Sequence, residues 1–162
     1  MAETKITLTN AELATKRNAA QHYINSFPDR TRLHHALEKF LKRTKTDFEK
    51  FQDAENDLRV DAALIEETEK KVKRFVYETV PSDRPGVPPQ KVLAVDPEKA
   101  KELQKKLRVL EREEVSFEPA YCQLSDLPDD MEARWQQVFI GLVVKEDPLD
   151  AKTEPAAEMA VN

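Results

Sequence analysis

DRTRLHHALEKFLKRTKTDFEKFQDAENDLR, Asp29 to Arg59, is the segment around which the remaining elements have to be arranged. Its apolar residues Leu33, Leu37, Phe40, Leu41, Phe48, Phe51 and Leu58 recur at spacings of three, four or seven, which predicts one long amphipathic helix with a buried stripe. At about 1.5 Å per residue such a helix runs roughly 45 Å, so most of the other elements have to pack along it. A coiled-coil dimer is a weaker reading, because Thr44, Ala54 and Asn56 interrupt the row and the chain has other apolar helices to cover it.

The elements on either side follow from local signals. Ile6 and Leu8 alternate with Thr7 and Thr9, the pattern of a short strand. Thr9-Asn10-Ala11-Glu12 then fits a capping box and predicts a helix from Asn10 to Ser26, with Leu13, Ala20, Ile24 and Phe27 on one face. Pro28 closes the connection, and Asp29 is placed to cap the long helix. Past Asp57 the phase slips, and Ala62, Ile65, Val72, Phe75 and Val76 read as a second helical stripe after a kink or restart near Asp61. PSDRPGVPPQ, residues 81–90, is a loop because its four prolines and Gly86 forbid a helix.

Val92–Val95 reads as a short strand, and Asp96-Pro97-Glu98 as the start of a helix reaching Arg112, with Ala100, Leu103, Leu107 and Leu110 as its apolar row. Glu114–Gln123, where Val115 and Phe117 alternate with Glu114, Ser116 and Glu118, reads as a half-buried strand that Pro119 confines to an edge or bulge, and the N-terminal strand is its simplest partner. A last helix is expected over Pro128–Val143, with Met131, Trp135, Val138, Phe139 and Leu142 inward. The fold class is therefore mainly α (α+β): a long helical hairpin or bundle with a small two- to three-stranded antiparallel sheet. Residues 1–144 form one domain on this reading, and the acidic segment 145–162 a flexible tail.

Composition narrows the chemistry. Of 162 residues 35% are charged, with a net charge of -5, and only two are glycine, Gly86 and Gly141. Phosphate-cradling and dinucleotide turns, which need positions without a side chain, are thereby disfavoured. The single cysteine, Cys122, has no partner for an internal disulfide, and no apolar run approaches the roughly 20 residues of a membrane span. A cytoplasmic protein with no cofactor is expected.

His34, His35 and Glu38 lie close in sequence, yet adjacent helical residues point about 100° apart, so a shared metal site is not favoured. A triad using Cys122 has nothing behind it beyond the residue types, so an enzyme is not expected. The strongest charge asymmetry is the run Arg30, Arg32, Lys39, Lys42, Arg43 and Lys45, opposed within it by Glu38 alone. Arg30, Arg32, Lys39, Lys42 and Arg43 are the candidate binding residues, for a partner protein first and for nucleic acid as the alternative.

In its order of elements the chain resembles a small family of uncharacterised tailed-phage (siphophage) proteins. The resemblance is carried by Lys5-Ile6-Thr7-Leu8-Thr9-Asn10-Ala11-Glu12-Leu13 and by the long Leu/Lys/Glu helix through Phe51 to Leu58. It continues through Glu114-Val115-Ser116-Phe117-Glu118 and Leu124-Ser125-Asp126-Leu127 to Trp135, with Val60–Pro89 as an apparent addition. It implies a phage protein working inside an infected bacterium and leaves the activity open. The lack of any convergent catalytic group then favours a non-enzymatic module that binds a host or phage protein through the basic helix face or the proline-rich loop, for host takeover, anti-defence, defence triggering or assembly. The family supplies no catalytic residues to carry over.

Overall fold

The computed structural model describes residues 5–145, so the acidic tail expected beyond Lys145 lies outside the described residues. In chain order these residues form β1 (Ile6–Thr9), α1 (Asn10–Ser26), α2 (Arg32–Asp61), β2 (Ile65–Glu67), β3 (Lys73–Phe75) and β4 (Tyr77–Val80). β5 (Gln90–Leu93), α3 (Ala100–Arg112), β6 (Glu114–Phe117), a 3-10 turn at Leu124–Asp126 and α4 (Ala133–Phe139) complete them. The fold is α+β, with a long helix and small antiparallel two-stranded sheets. Contacts divide it into two compact units, one drawing on the chain up to Phe48 and from Glu114 onward, the other on Glu49–Glu113.

In the first unit the expected capping box forms. The Thr9 hydroxyl accepts from the Glu12 amide at 3.2 Å, and the Glu12 carboxylate accepts from the Thr9 amide at 3.1 Å. β1 pairs with β6, so Ile6 faces Phe117 and Leu8 faces Val115 on the inner side, while Thr7 and Ser116 exchange a 2.8 Å hydroxyl bond on the outer. Leu33, Leu37 and Phe40 of α2 are fully or almost fully buried in the same cluster as Leu13, Tyr23, Phe117 and Phe139. Thr44, which interrupts the stripe in sequence, is itself fully buried. It donates to the Phe40 carbonyl at 2.7 Å and accepts from Arg17 of α1 at 2.6 Å.

Three boundaries in this unit differ from expectation. α2 starts at Arg32, and Thr31 rather than Asp29 supports its first turn, accepting from the His34 amide at 3.4 Å and from the His35 amide at 3.2 Å. Phe27 is exposed, because α1 ends at Ser26 and the chain turns away. α4 is shorter than predicted. Gly141 adopts a φ of 88°, open to a residue without a side chain, and turns the chain so that Leu142 and Val143 are buried from a turn instead of a helix.

The second unit departs furthest from the sequence reading. Ala62–Val76 is not a helical stripe: α2 stops at Asp61, and Ile65 faces Phe75 across a hairpin. The chain there forms a three-way β-junction. Leu64 donates its amide to the Ala94 carbonyl (2.8 Å), Ala94 to Val76 (2.8 Å) and Val76 back to Leu64 (3.1 Å), a closed ring of main-chain bonds. From this ring one stem returns through the Ala63–Val95 bridge, and two arms extend, β2–β3 and β4–β5.

The tip of the first arm is a turn over Thr68–Lys71, with Lys71 at φ 59°, the left-handed region. The tip of the second is the expected proline-rich loop, where Pro85 and Gly86 occupy the middle of a turn closed by the Val87 amide on the Arg84 carbonyl (3.3 Å), with Gly86 at φ 85°. Side-chain burial in this unit is slight: Phe51, Ala62, Ala63, Ala94, Leu103 and Leu110 are buried, whereas Ile65, Val72, Phe75, Tyr77, Val80 and Val92 remain exposed on the arms. The row Ala100, Leu103, Leu107, Leu110 does face inward on α3. Asp96, expected as its cap, instead accepts from the Glu98 amide at 3.0 Å and holds a turn before the helix.

Two substitutions test these assignments. Phe40→Ala, which empties a fully buried aromatic site, is expected to lower the stability of the first unit by about 3–5 kcal/mol in urea unfolding. Lys71→Gly relieves a left-handed backbone position and is expected to raise the thermal stability of the second unit, by up to about 1 kcal/mol after the entropy glycine adds to the unfolded chain.

Candidate functional site

Arg32, His35 and Lys39 stand three and four residues apart on one side of α2 and line a cleft of about 280 Å³ in the first unit. Its other wall is the segment after β6, where Pro119 ends the ladder and the chain runs out through Tyr121, Cys122 and Gln123 to Asp126. That wall is fixed from several sides. The Cys122 amide donates to the Val143 carbonyl at 2.8 Å, the Gln123 amide to Asp126 Oδ2 at 2.8 Å, and Arg43 of α2 donates to the carbonyls of Glu118 (3.0 Å) and Pro119 (3.1 Å).

The five basic residues predicted from sequence therefore separate. Arg32 and Lys39 line the cleft, and Arg43 holds its wall. Arg30 and Lys42 are exposed and line no part of it. The Arg32 guanidinium comes no closer than 3.9 Å to Asp126 and keeps 77% of its side-chain exposure, so the pair is weak and the cation is free to engage another anion. His35 Nδ1 lies 3.9 Å from Glu38 on the exposed helix surface.

Although Cys122, His35 and Asp126 border one cleft, no hydrogen bond joins the thiol to the imidazole among the described residues. Burial pushes the Cys122 thiol above its ordinary range, and the Asp126 charge pushes it further, whereas a nucleophilic cysteine needs the opposite shift. No three of His, Cys, Asp and Glu among the described residues come together as a metal site.

His34 goes elsewhere. One residue along the helix it turns about 100° away from His35, becomes buried and packs 5.9 Å from the Tyr23 ring. Tyr23 is itself raised above the ordinary phenol range, by burial first and by the charge of Asp130 second.

The residues that sequence reasoning missed are those of the far wall. Tyr121 and Gln123 belong to a segment read as strand, and only Pro119 hinted that the chain would leave the ladder there. Among the described residues no helix is long and apolar enough to cross a membrane. Compared with protein-family models, curated proteins and solved structures, the chain finds no match.

Because the Cys122 thiol and the Tyr23 phenol both bind their protons more tightly in the folded chain than in the unfolded one, their contribution is full at neutral pH and is lost on going alkaline. The urea midpoint is expected to fall from about pH 8.5 upward and more steeply above about pH 10. In Cys122→Ala the first decline should vanish and the second remain; a wild-type midpoint flat across this range would contradict the buried assignments.

Proposed function

We propose that the protein is a non-enzymatic binding module that takes an acidic segment of a partner protein into the cleft bordered by Arg32 and Lys39. The observation that carries this reading is the placement of two exposed cations, Lys39 and the weakly paired Arg32, on the open lip of a groove whose other lip offers an exposed phenol, Tyr121, and an exposed amide, Gln123. An extended peptide carboxylate can pair with Arg32 or Lys39 while its backbone hydrogen-bonds to the Gln123 side chain, and Tyr121 gives it apolar area at low entropy cost.

Nucleic acid fits this groove less well. A phosphate backbone needs a track of cations, and here Arg43 is spent on two carbonyls while Asp126 adds a negative charge to the floor. One exposed aromatic does not make a stacking platform for successive bases. The exposed apolar side chains on the β-arms of the second unit support a protein that works by contact. On the resemblance to tailed-phage proteins, the proposed partner is of host or phage origin and is met inside an infected bacterium, where takeover, anti-defence, trigger and assembly roles all proceed by such contacts.

Fluorescence anisotropy with a labelled Asp/Glu-rich peptide and with single- and double-stranded DNA of equal length tests the reading. Arg32→Glu combined with Lys39→Glu is expected to weaken peptide binding by at least about tenfold, while Arg30→Glu with Lys42→Glu leaves it within about twofold. Retention of DNA with a steep salt dependence and no peptide binding would transfer the cleft to the nucleic-acid reading.

A further inference from the structure

A second cavity in the first unit, of about 380 Å³, has the opposite character. Tyr23, Phe27 and Trp135 supply aromatic walls, and its charged lining consists of the carboxylates of Asp29, Asp130 and Glu132, with no lysine or arginine. Arg134 is ion-paired to Glu132 at 2.7 Å, so of the three lining carboxylates Asp29 and Asp130 make no ion pair among the described residues. The start of α2 adds a positive dipole end at Thr31 worth about half a charge, too little to reverse that balance.

His34 and Trp135 also line this cavity, and their buried ring nitrogens have no hydrogen-bond partner among the described residues. His34 is 4% exposed, and neither of its ring nitrogens makes a hydrogen bond; Trp135 is 6% exposed, and its indole Nε1–H makes none. A neutral imidazole carries one donor and one acceptor, and an indole N–H only donates, so these groups together ask for an occupant that can both give and accept hydrogen bonds. Native proteins seldom leave such groups unpaired away from water.

We infer that this cavity is a recognition site for an arginine residue of a peptide, with the guanidinium toward Asp29 and Asp130 and a peptide carbonyl available to the buried donors of Trp135 and His34. A planar guanidinium is the cation best suited to aromatic walls and to forked pairing with carboxylates. The exposed ring of Phe27, 4.7 Å from that of Tyr23, supplies an apolar surface at the mouth that a guanidinium can cover. The wall already holds one such contact, since the Arg134 guanidinium lies 4.8 Å from the Trp135 ring centroid. The site is separate from the cleft of Arg32 and Lys39 and selects the opposite charge.

Trp135 is the only tryptophan in the chain, so its fluorescence reports on this cavity directly. The full-length protein would be titrated with Nα-acetyl-arginine methylamide, with the citrulline counterpart, which is isosteric and neutral, and with agmatine, which keeps the guanidinium but lacks a carbonyl. Saturable binding of the arginine derivative is expected, about tenfold weaker for citrulline and also weaker for agmatine. Asp130→Asn and Asp29→Asn, both at exposed positions, should each weaken it about fivefold. His34→Phe removes the unpaired nitrogens but keeps an aromatic ring, so it should weaken binding without lowering the unfolding temperature, whereas a purely structural histidine would give lower stability. No saturable response to the arginine derivative, or citrulline binding as tightly, would overturn the assignment; agmatine binding as tightly would overturn the role of the carbonyl.

Discussion

Leu33, Leu37 and Phe40 have to be kept from water, and the organisation of the first unit follows from that requirement. Burying one phenylalanine and two leucines completely is worth several kcal/mol, on the order of 1.5–3 each, comparable to the whole net stability of a small domain. A helix presents such residues as a stripe, so the cover has to come from elements lying along it. α1, the β1–β6 ladder and α4 all contribute side chains to that cluster. The ring contacts of Phe40 with Phe117 at 5.4 Å and of Tyr23 with Phe139 at 5.2 Å join elements far apart in sequence. Polar ties then fix the register at the margin: Arg17 bonds to the Leu41 carbonyl and the Thr44 hydroxyl, and Arg43 bonds to the two carbonyls that follow β6. Arg32, His35 and Lys39, off the stripe, fall where the covering layer ends, which is why a cleft opens beside them.

The second unit meets the same demand by different means. Its junction is closed by three main-chain hydrogen bonds among Leu64, Val76 and Ala94, and the residues buried around it include Ala62, Ala63 and Ala94. Small side chains let three strand segments converge on one point, but they withdraw little apolar area from water. The larger residues, Ile65, Phe75, Tyr77 and Val80, are carried outward on two-stranded arms that no third strand joins among the described residues. Two-stranded ladders are marginal by themselves, so the cross-strand pairs Ile65–Phe75 and Tyr77–Leu93 and the turn chemistry at the tips carry most of their specification.

This contrast explains which parts of the structure were legible in the sequence. The capping box at Thr9, the alternation in β1 and β6, and the stripe from Leu33 to Phe51 each write a local interaction into adjacent residues, and each element formed. From Ala62 to Val76 the apolar residues fit a helical spacing as well as a hairpin, and the interactions that decide the matter are backbone bonds to Ala94, invisible in side-chain order. The β-branched and aromatic residues from Val72 to Val80 carried a strand signal that the helical spacing obscured. At the candidate site the helix contributed its cations by spacing alone, so Arg32 and Lys39 were readable. Their separation from Arg30, Lys42 and Arg43 depends on where the segment Glu118–Asp126 runs, a tertiary fact.

The neighbouring histidines show how one helical turn serves both cavities. A rotation of about 100° between His34 and His35 is enough to place one ring inside the aromatic core and the other on a basic, open cleft. The two environments also treat their reactive groups alike. Cys122 at the basic cleft and Tyr23 at the acidic cavity are both held toward their protonated forms, in each case by burial first and by a neighbouring carboxylate second. A thiol and a phenol kept neutral are poor nucleophiles, while the charged groups at both sites, Arg32 and Lys39 on one side and Asp29 and Asp130 on the other, remain open to solvent and to a partner. Charge, hydrogen bonding and aromatic surface are the interactions these cavities offer, which is the physical basis of the proposal that the molecule recognises a partner.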